Sequence, residues 1–336
     1  MKTKVLIITG DHTAPDPEKR GGKYNEEDFT THNVMVEALA SFDDLEVHVM
    51  NDHRNFFETL EKNRPDIVVN FCDTGFFNKI ALEGSIPAYL EMQNILYTGA
   101  SPQSIAICYD KGIVRLVGES LGIPVPEEKF YFAQDEFIPN EITYPSLIKP
   151  NAADGSLGIT KDAVIKNEEE ALQYIHWLRD TLPGKDFLVQ EYLPGPEYGI
   201  CLIGNPKTKL EALATIEVDF SRLPKGLNPI LSYESKAIPD SPYWSDIIFK
   251  KASLDANEEK KMIANCKILF QRLKLRDYAR FDFRRSQDGQ IKLMEVNPNP
   301  AWANDGKMAM MAGLVGIPYP NLLRKIVDTA LLRKNS

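Results

Sequence analysis

The chain has 336 residues, 43% of them hydrophobic and 26% charged, enough apolar mass for a large core and two or three domains. A formal charge of −9 excludes a general attraction for nucleic acid or an anionic membrane, so any anionic ligand must be met by a local basic cluster. Cys72, Cys108, Cys201 and Cys266 lie far apart with no C-x-x-C pair, which argues against a zinc site or a disulfide framework. The apolar run that starts at Val5 is too short for a signal-peptide core and no later run is long enough to span a membrane, so a soluble cytoplasmic protein is expected.

The first segment alternates strand and helix: strand Val5–Thr9, helix Thr31–Phe42, strand Leu45–Met50, helix Phe56–Lys62, strand Asp66–Asn70. This βαβαβ pattern predicts a parallel sheet with ligands at the carboxyl ends of its strands. Two loops leave those ends. The first, Gly10 to Glu27, holds Asp11, His12, Asp16, Glu18, Lys19 and Arg20, and is either a substrate loop or a mobile excursion. The second, Phe71–Gly75, can line the same cleft. A short strand Ile95–Tyr97 follows, then Ser101 as the cap of a helix that starts at Pro102. A further helix opens at Asp110-Lys111, and taken alone Lys111 reads most simply as a surface lysine.

Next, a strand Tyr144–Pro150 carries Lys149 between Ile148 and a proline. The loop Asn151–Ile159, with Gly155, Ser156 and Gly158, allows backbone N–H groups to approach an anion, although a plain connection between antiparallel strands explains it equally well. It is not a Walker A loop, since no G-K-[ST] follows. Asn167 begins a helix with an acidic first turn. The strand Phe187–Leu193 is broken by Pro194-Gly195-Pro196 before a second strand Glu197–Ile203. Backbone groups freed at that break suit the edge of an adenine, and a simple hairpin is the equal alternative. Strand Glu211–Asp219 and the Tyr233-Glu234-Ser235-Lys236 stretch precede an amphipathic helix Asn257–Lys274, whose apolar face is read as Met262, Ile263, Cys266, Ile268, Leu269 and Leu273. A closing helix is expected over Tyr319–Arg333.

The densest chemistry lies between Tyr278 and Pro300. The runs Tyr278–Phe283 and Leu293–Asn297 flank Asp288-Gly289, the signal of a two-residue hairpin turn. That register sets Asp282 opposite Glu295 and Arg280 opposite Asn297, and turns Phe281, Phe283, Met294 and Val296 to the other face. Two carboxylates across a strand pair repel unless a cation offsets them, and Mg²⁺ suits Asp282, Glu295 and the Asn297 amide. A solvated strand face and a structural Arg280–Asp282 salt bridge are the plainer readings.

Taken in order, Lys149-Pro150, Gly155-Ser156-Leu157-Gly158, Gln190-Glu191-Tyr192-Leu193, Gly195-Pro196-Glu197, Arg280-Phe281-Asp282 and Glu295-Val296-Asn297-Pro298-Asn299-Pro300 resemble the ATP-grasp superfamily, in its D-alanine:D-alanine ligase-like branch. The resemblance implies an α/β chain, α+β in its ATP-grasp part. It comprises an amino-terminal parallel βαβ domain (1–100), a central ATP-grasp subdomain (101–185) and a carboxy-terminal subdomain with the hairpin (186–336). By the same likeness, ATP would lie between the last two, with Lys111, Lys149 and Lys236 on its phosphates and Ser156 capping them. Gln190, Glu191 and Leu193 would meet adenine and Glu197 the ribose. Two Mg²⁺ ions, replaceable by Mn²⁺, would be held by Asp282, Glu295 and Asn297, with Arg280 on the oxyanion.

The implied activity is ATP-dependent ligation of a carboxylate to an amine, on amino acids or amino-acid-like substrates, by a homodimer. Two departures concern the substrates. The branch's Gly-Gly-x-Ser-x-Glu-type loop is replaced by Gly10-Asp11-His12-Thr13, and its downstream Ser-Leu pair by Gly306-Lys307, which are candidate acceptor contacts. A non-catalytic ATP-binding regulator is the alternative. A dinucleotide-dependent oxidoreductase is disfavoured, because no G-x-G-x-x-G follows the first strand.

Overall fold

A computed structural model describes residues 2–16, 19–153 and 155–335. Glu18 and Asp154, each in a loop singled out above, lie outside the described residues. The amino-terminal sheet is parallel, in the order β2 (Leu45–Met50), β1 (Thr3–Ile8), β3 (Ile67–Asn70). Its central strand is apolar on both faces, with Val5, Leu6, Ile7 and Ile8 all buried, as a covered parallel sheet requires. Helices α1 (Glu26–Ala40), α2 (Phe56–Lys62) and α3 (Ser85–Met92) accompany it. α1 starts five residues before the expected position, because Asn25 and Asp28 form a reciprocal capping box and the acidic turn Glu26-Glu27-Asp28 suits the helix dipole. The expected strand Ile95–Tyr97 reduces to a single parallel bridge, Tyr97 to Val68.

Helices α4 (Pro102–Tyr109) and α5 (Lys111–Ser120) begin at the Ser101 and Asp110 caps. A second, antiparallel sheet follows in the order β4 (Glu128–Tyr131), β7 (Phe187–Glu191), β5 (Ser146–Pro150), β6 (Val164–Ile165), with α6 (Glu168–Thr181) packed on it. The third sheet runs β11 (Ile248–Lys251), β10 (Ile216–Asp219), β8 (Glu197–Gly204), β12 (Asp277–Arg285), β13 (Ile291–Asn297), with β9 (Glu211–Ala212) on β8. The single strand expected over Glu211–Asp219 is thus two. Two short helices, α7 (Glu234–Ala237) and α8 (Pro242–Ser245), precede β11. α9 (Ala256–Arg272) covers the third sheet with Met262, Cys266, Leu269 and Phe270. Ile268, assigned to that face from sequence, is exposed, since one step along a helix turns a side chain by about 100° and Leu269 takes the buried direction.

The boundaries read at 100/101 and 185/186 fall differently from the sheets. β7 pairs with β4 and β5 of the second sheet, while Cys108 of α4 and Val114 of α5 belong to the core of the third. The last helices, α10 (Lys307–Gly313) and α11 (Tyr319–Leu331), join the first sheet to the third. Leu322, Leu323, Ile326 and Val327 are fully buried in one core with Val5, Ile7 and Val69 on one side and Cys201 and Ile203 on the other.

Candidate active site

The β12–β13 hairpin forms the floor of a cleft of about 410 Å³. Arg280 pairs with Asn297, Phe281 with Val296 and Asp282 with Glu295, as the sequence register requires. Two local expectations fail. The turn has three residues, Gln287-Asp288-Gly289, closed by Ser286 N to Gln290 O (2.8 Å) and Gly289 N to Ser286 O (3.1 Å). Only Gly289 is left-handed (φ 87°), the arrangement of a three-residue rather than a two-residue loop. The register then shifts by one residue between Asp282 and Phe283, where Met294 is the extra residue of a bulge. The two one-residue offsets cancel. Leu293, not Met294, therefore occupies the core face, and Met294 lines the cleft.

Arg280 Nε reaches Asp282 Oδ1 (2.9 Å) and Oδ2 (3.1 Å), and Nη2 reaches Oδ2 (2.9 Å), so the salt bridge weighed from sequence is present. Burial would raise the Asp282 carboxyl, but the Arg280 and Lys307 charges outweigh it and hold the group well below its usual range. Asn297 Nδ2 donates to Asp282 Oδ2 (3.1 Å) and approaches Glu295 Oε1 (3.5 Å). One amide thus bridges two like charges. Among the described residues no three His, Cys, Asp or Glu side chains cluster to hold a metal. Two carboxylates and an amide nonetheless suit Mg²⁺, which takes few protein ligands and completes its shell with water and phosphate oxygens; the amide must then turn its oxygen inward.

Lysines face this floor. Lys111, at the start of α5, donates to Ala153 O (2.6 Å) and stands 3.9 Å from Glu295. Lys149, on β5, is buried and donates to Gln190 Oε1 (3.0 Å), whose Nε2 donates to Glu128 Oε2 (2.7 Å). Burial lowers the Lys149 ammonium below its ordinary value, and Glu128 opposes that shift. Lys236, on α7, remains reachable from the open cleft, yet desolvation between its walls and the nearby Lys307 charge push it down to about 8. Ser156 is left-handed (φ 63°) and its hydroxyl donates to Leu231 O (2.9 Å), so any phosphate contact from this residue falls to the loop backbone.

Glu197 opens β8 in a buried position between Lys307 (3.7 Å) and Arg284 (3.9 Å); burial raises its carboxyl and both cations oppose the shift. Lys307 starts α10 and lines the cleft, whereas Gly306 is the cap residue behind it. Gln190, Glu191 and Leu193 stand outside the lining. Gln190 is tied to Lys149, Glu191 pairs with Lys292 (2.6 Å) and Leu193 is buried. Arg284 and Glu128 escaped the sequence reading. Period-two alternation from Arg280 and Asp282 puts Arg284 on the same face, and the pairing of Glu128 with Gln190 across β4 and β7 brings the acid to Lys149.

The opposite wall comes from the amino-terminal sheet. Lys19, Asp73, Thr74 and Glu83 line it, so both loops at the strand ends reach the cleft. The long loop is pinned in place. Asn78 Nδ2 donates to Asp11 O (2.7 Å), and His12 Nε2 lies 2.9 Å from His32 Nδ1 on α1.

Residues 121–328 match the family described as D-ala D-ala ligase C-terminus. The chain belongs to the D-Ala-D-Ala ligase family. The vancomycin/teicoplanin A-type resistance protein VanA of Enterococcus faecium is 27% identical over 84% of this chain and 80% of its own length. A D-alanine–D-alanine ligase of Marinomonas sp. is 28% identical over 74% of this chain and 73% of its own. The fold is that of the D-alanine–D-alanine ligase from Bacillus anthracis solved with ATP, with a TM-score of 0.73, 19% identity and 99% of each chain covered. Membership in the D-Ala-D-Ala ligase family makes the protein an ATP-dependent, ADP-forming ligase of amino-acid substrates that uses a divalent metal and forms a peptide-like bond. The regulator alternative is not favoured.

Proposed function

We propose that this cleft activates the carboxylate of one amino acid or amino-acid-like substrate with ATP and couples it to the amine of a second. The observation that carries this reading is the convergence of Lys111, Lys149 and Lys236 on the same cleft as Asp282, Glu295, Asn297 and Arg280. A carboxylate oxygen attacks the γ-phosphorus, the bond to the β–γ bridging oxygen breaks, and ADP departs with its electron pair. The amine nitrogen then attacks the acyl phosphate carbon, the C–O bond breaks, phosphate leaves, and the nitrogen loses a proton. Positioning and charge carry most of this work.

Lys111 and Lys149 hold the phosphates, Lys236 meets the transferring group, and the Ser156 loop supplies backbone donors. Arg280 directs its Nε–H and one Nη2–H to Asp282, and its remaining guanidinium N–H groups are the donors offered to the oxyanion. Asp282, Glu295 and Asn297 would hold Mg²⁺, two ions by family likeness, and the metal would supply charge neutralisation at the phosphates. Adenine is assigned to the backbone of Glu191 and Leu193 beside Gln190, ribose to Glu197, and the acceptor carboxylate to Lys307 beside Gly306. D-Alanine with D-alanine is one candidate pair, and a cytoplasmic homodimer is the expected form; no helix among the described residues is long and apolar enough to cross a membrane.

The test is ADP and phosphate release with ATP and Mg²⁺ against paired D- and L-amino acids, with product mass read in parallel. A product equal to two substrates less water establishes ligation. ATP binding without turnover on any pair would sink it.

A further inference from the structure

A second cavity, of about 600 Å³, lies at the other end of the first sheet. Its lining includes Asp66, just before β3, and Tyr97, which bridges to Val68, whereas the loops that wall the main cleft leave the carboxyl end of β3. The two spaces share no lining residue. In a chain of formal charge −9, four cations meet here: Arg64 just before β3, Arg276 just before β12, and Arg333 and Lys334 after α11. The acids are fewer and engaged. Glu91 pairs with Arg276 (3.1 Å) and accepts from the Tyr97 hydroxyl (2.7 Å), and Asp66 Oδ2 accepts from Lys4 N (2.9 Å). Asp277, fully buried, accepts from Arg333 Nε (2.9 Å) and Nη2 (2.8 Å). Arg64 and Lys334 are exposed and make no ion pair among the described residues.

The three guanidinium groups are held in place. Arg276 Nε donates to Gly99 O (2.8 Å) and its guanidinium carbon lies 4.6 Å from the centre of the Tyr97 ring. Arg333 Nη2 also reaches Tyr97 O, and Arg64 Nη2 donates to Gln93 O (2.7 Å) and Asn94 O (2.9 Å). In each of the three, Nη1 makes no hydrogen bond among the described residues and keeps two N–H donors. Fixed guanidinium donors beside an ammonium match the oxygens of a phosphate group, and little side-chain freedom is lost on binding. We propose that this cavity binds a small phosphate monoester. Its volume falls in the range of small-molecule sites, about 300–1,000 Å³, and exceeds what phosphate alone requires. Pro65, Ile95 and Leu96 supply the apolar lining for the organic part. The cations come from both sides of the joint between the first and third sheets, so the bound anion ties the two together.

Inorganic phosphate and glycerol 3-phosphate are the probes. The full chain, its main cleft filled with Mg²⁺ and a non-hydrolysable ATP analogue, is titrated with each by calorimetry and followed by thermal melting at constant ionic strength. One site per chain with a Kd of about 1 mM or below is expected, the ester binding more tightly than phosphate. Each probe should raise the melting temperature where chloride at the same ionic strength does not. Arg64→Gln and Lys334→Gln should each weaken both probes about fivefold or more, and Arg64→Lys should retain most of the affinity. Lys334 makes no hydrogen bond in the folded chain, so Lys334→Gln reads binding without disturbing the fold. ATP affinity and turnover should be unchanged in all three variants, since neither residue lines the main cleft. No binding of either probe to the filled protein, exclusion of the ester, or binding untouched by both neutral variants would overturn the assignment, whichever substrates the main cleft joins.

Discussion

Asp282 and Glu295 face each other across one strand pair, yet their surroundings divide their roles. Asp282 is buried and holds Arg280 through three short contacts, whereas the Glu295 side chain is 34% exposed with Lys111 3.9 Å away. Glu295→Gln is therefore expected to cut kcat by about 10²–10³ while the melting temperature moves little. Asp282→Asn should lose activity and also stability, by up to about 3 kcal/mol, because it leaves a half-buried guanidinium without its counter-charge. Thermal melts beside steady-state rates separate the two; equal destabilisation by both would count against a catalytic role for Glu295. Lys236 supplies a pH signature. Its ammonium is pushed down to about 8, so charge is present below that value and lost above it. ATP affinity of the free protein should weaken as pH rises through about 8, and Lys236→Arg should flatten that fall; isothermal titration across pH 7 to 9 reads it directly.

Two glycines separate local strain from crowding at the scale of the elements. Gly289 closes the hairpin turn at φ 87° with nothing near the position of a Cβ, and Gly158 has φ 73° with Pro150 Cγ 2.6 Å from that position. Gly289→Ala should cost about 1–2 kcal/mol of backbone strain and leave kcat unchanged. Gly158→Ala adds a collision against β5, beside Lys149, and should lower ATP affinity as well as stability. Binding and melting data on the pair decide this, and an unchanged ATP affinity in Gly158→Ala would disconnect that loop from the nucleotide. The hairpin also marks how far local rules reach. Period-two alternation and a turn dipeptide were enough to pair Asp282 with Glu295 from sequence, although the turn is one residue longer than expected and Met294 adds one residue on the other strand. Turn length and bulge cannot be told apart in a string of residues, because only the partner strand's hydrogen bonds distinguish them.

In the whole molecule, α11 decides whether the parts hold together. Leu322, Leu323, Ile326 and Val327 are fully buried between the first and third sheets. Burial of about 1.5–3 kcal/mol for each such side chain amounts to much of the roughly 5–15 kcal/mol by which a domain is stable. A chain ended after Pro318 should therefore be insoluble or molten, exposing apolar surface to a hydrophobic dye, even though every site residue named here is retained. A soluble, cooperatively folded truncation would show that the sheets carry their own cores.

By itself the sequence determined the longer helices, the parallel character of the first sheet, the pairing of Asp282 with Glu295 and the family, because these depend on periodicity, capping and motif order along a few neighbouring residues. Only the tertiary structure decided the rest. That Asp73 and Glu83 share a wall with Asn299, that Gln190 is spent on Lys149 and Glu128, and that β7 joins the second sheet are contacts between residues far apart in the chain. Such contacts arise from packing whole sheets against one another, and no local pattern encodes which surfaces will meet.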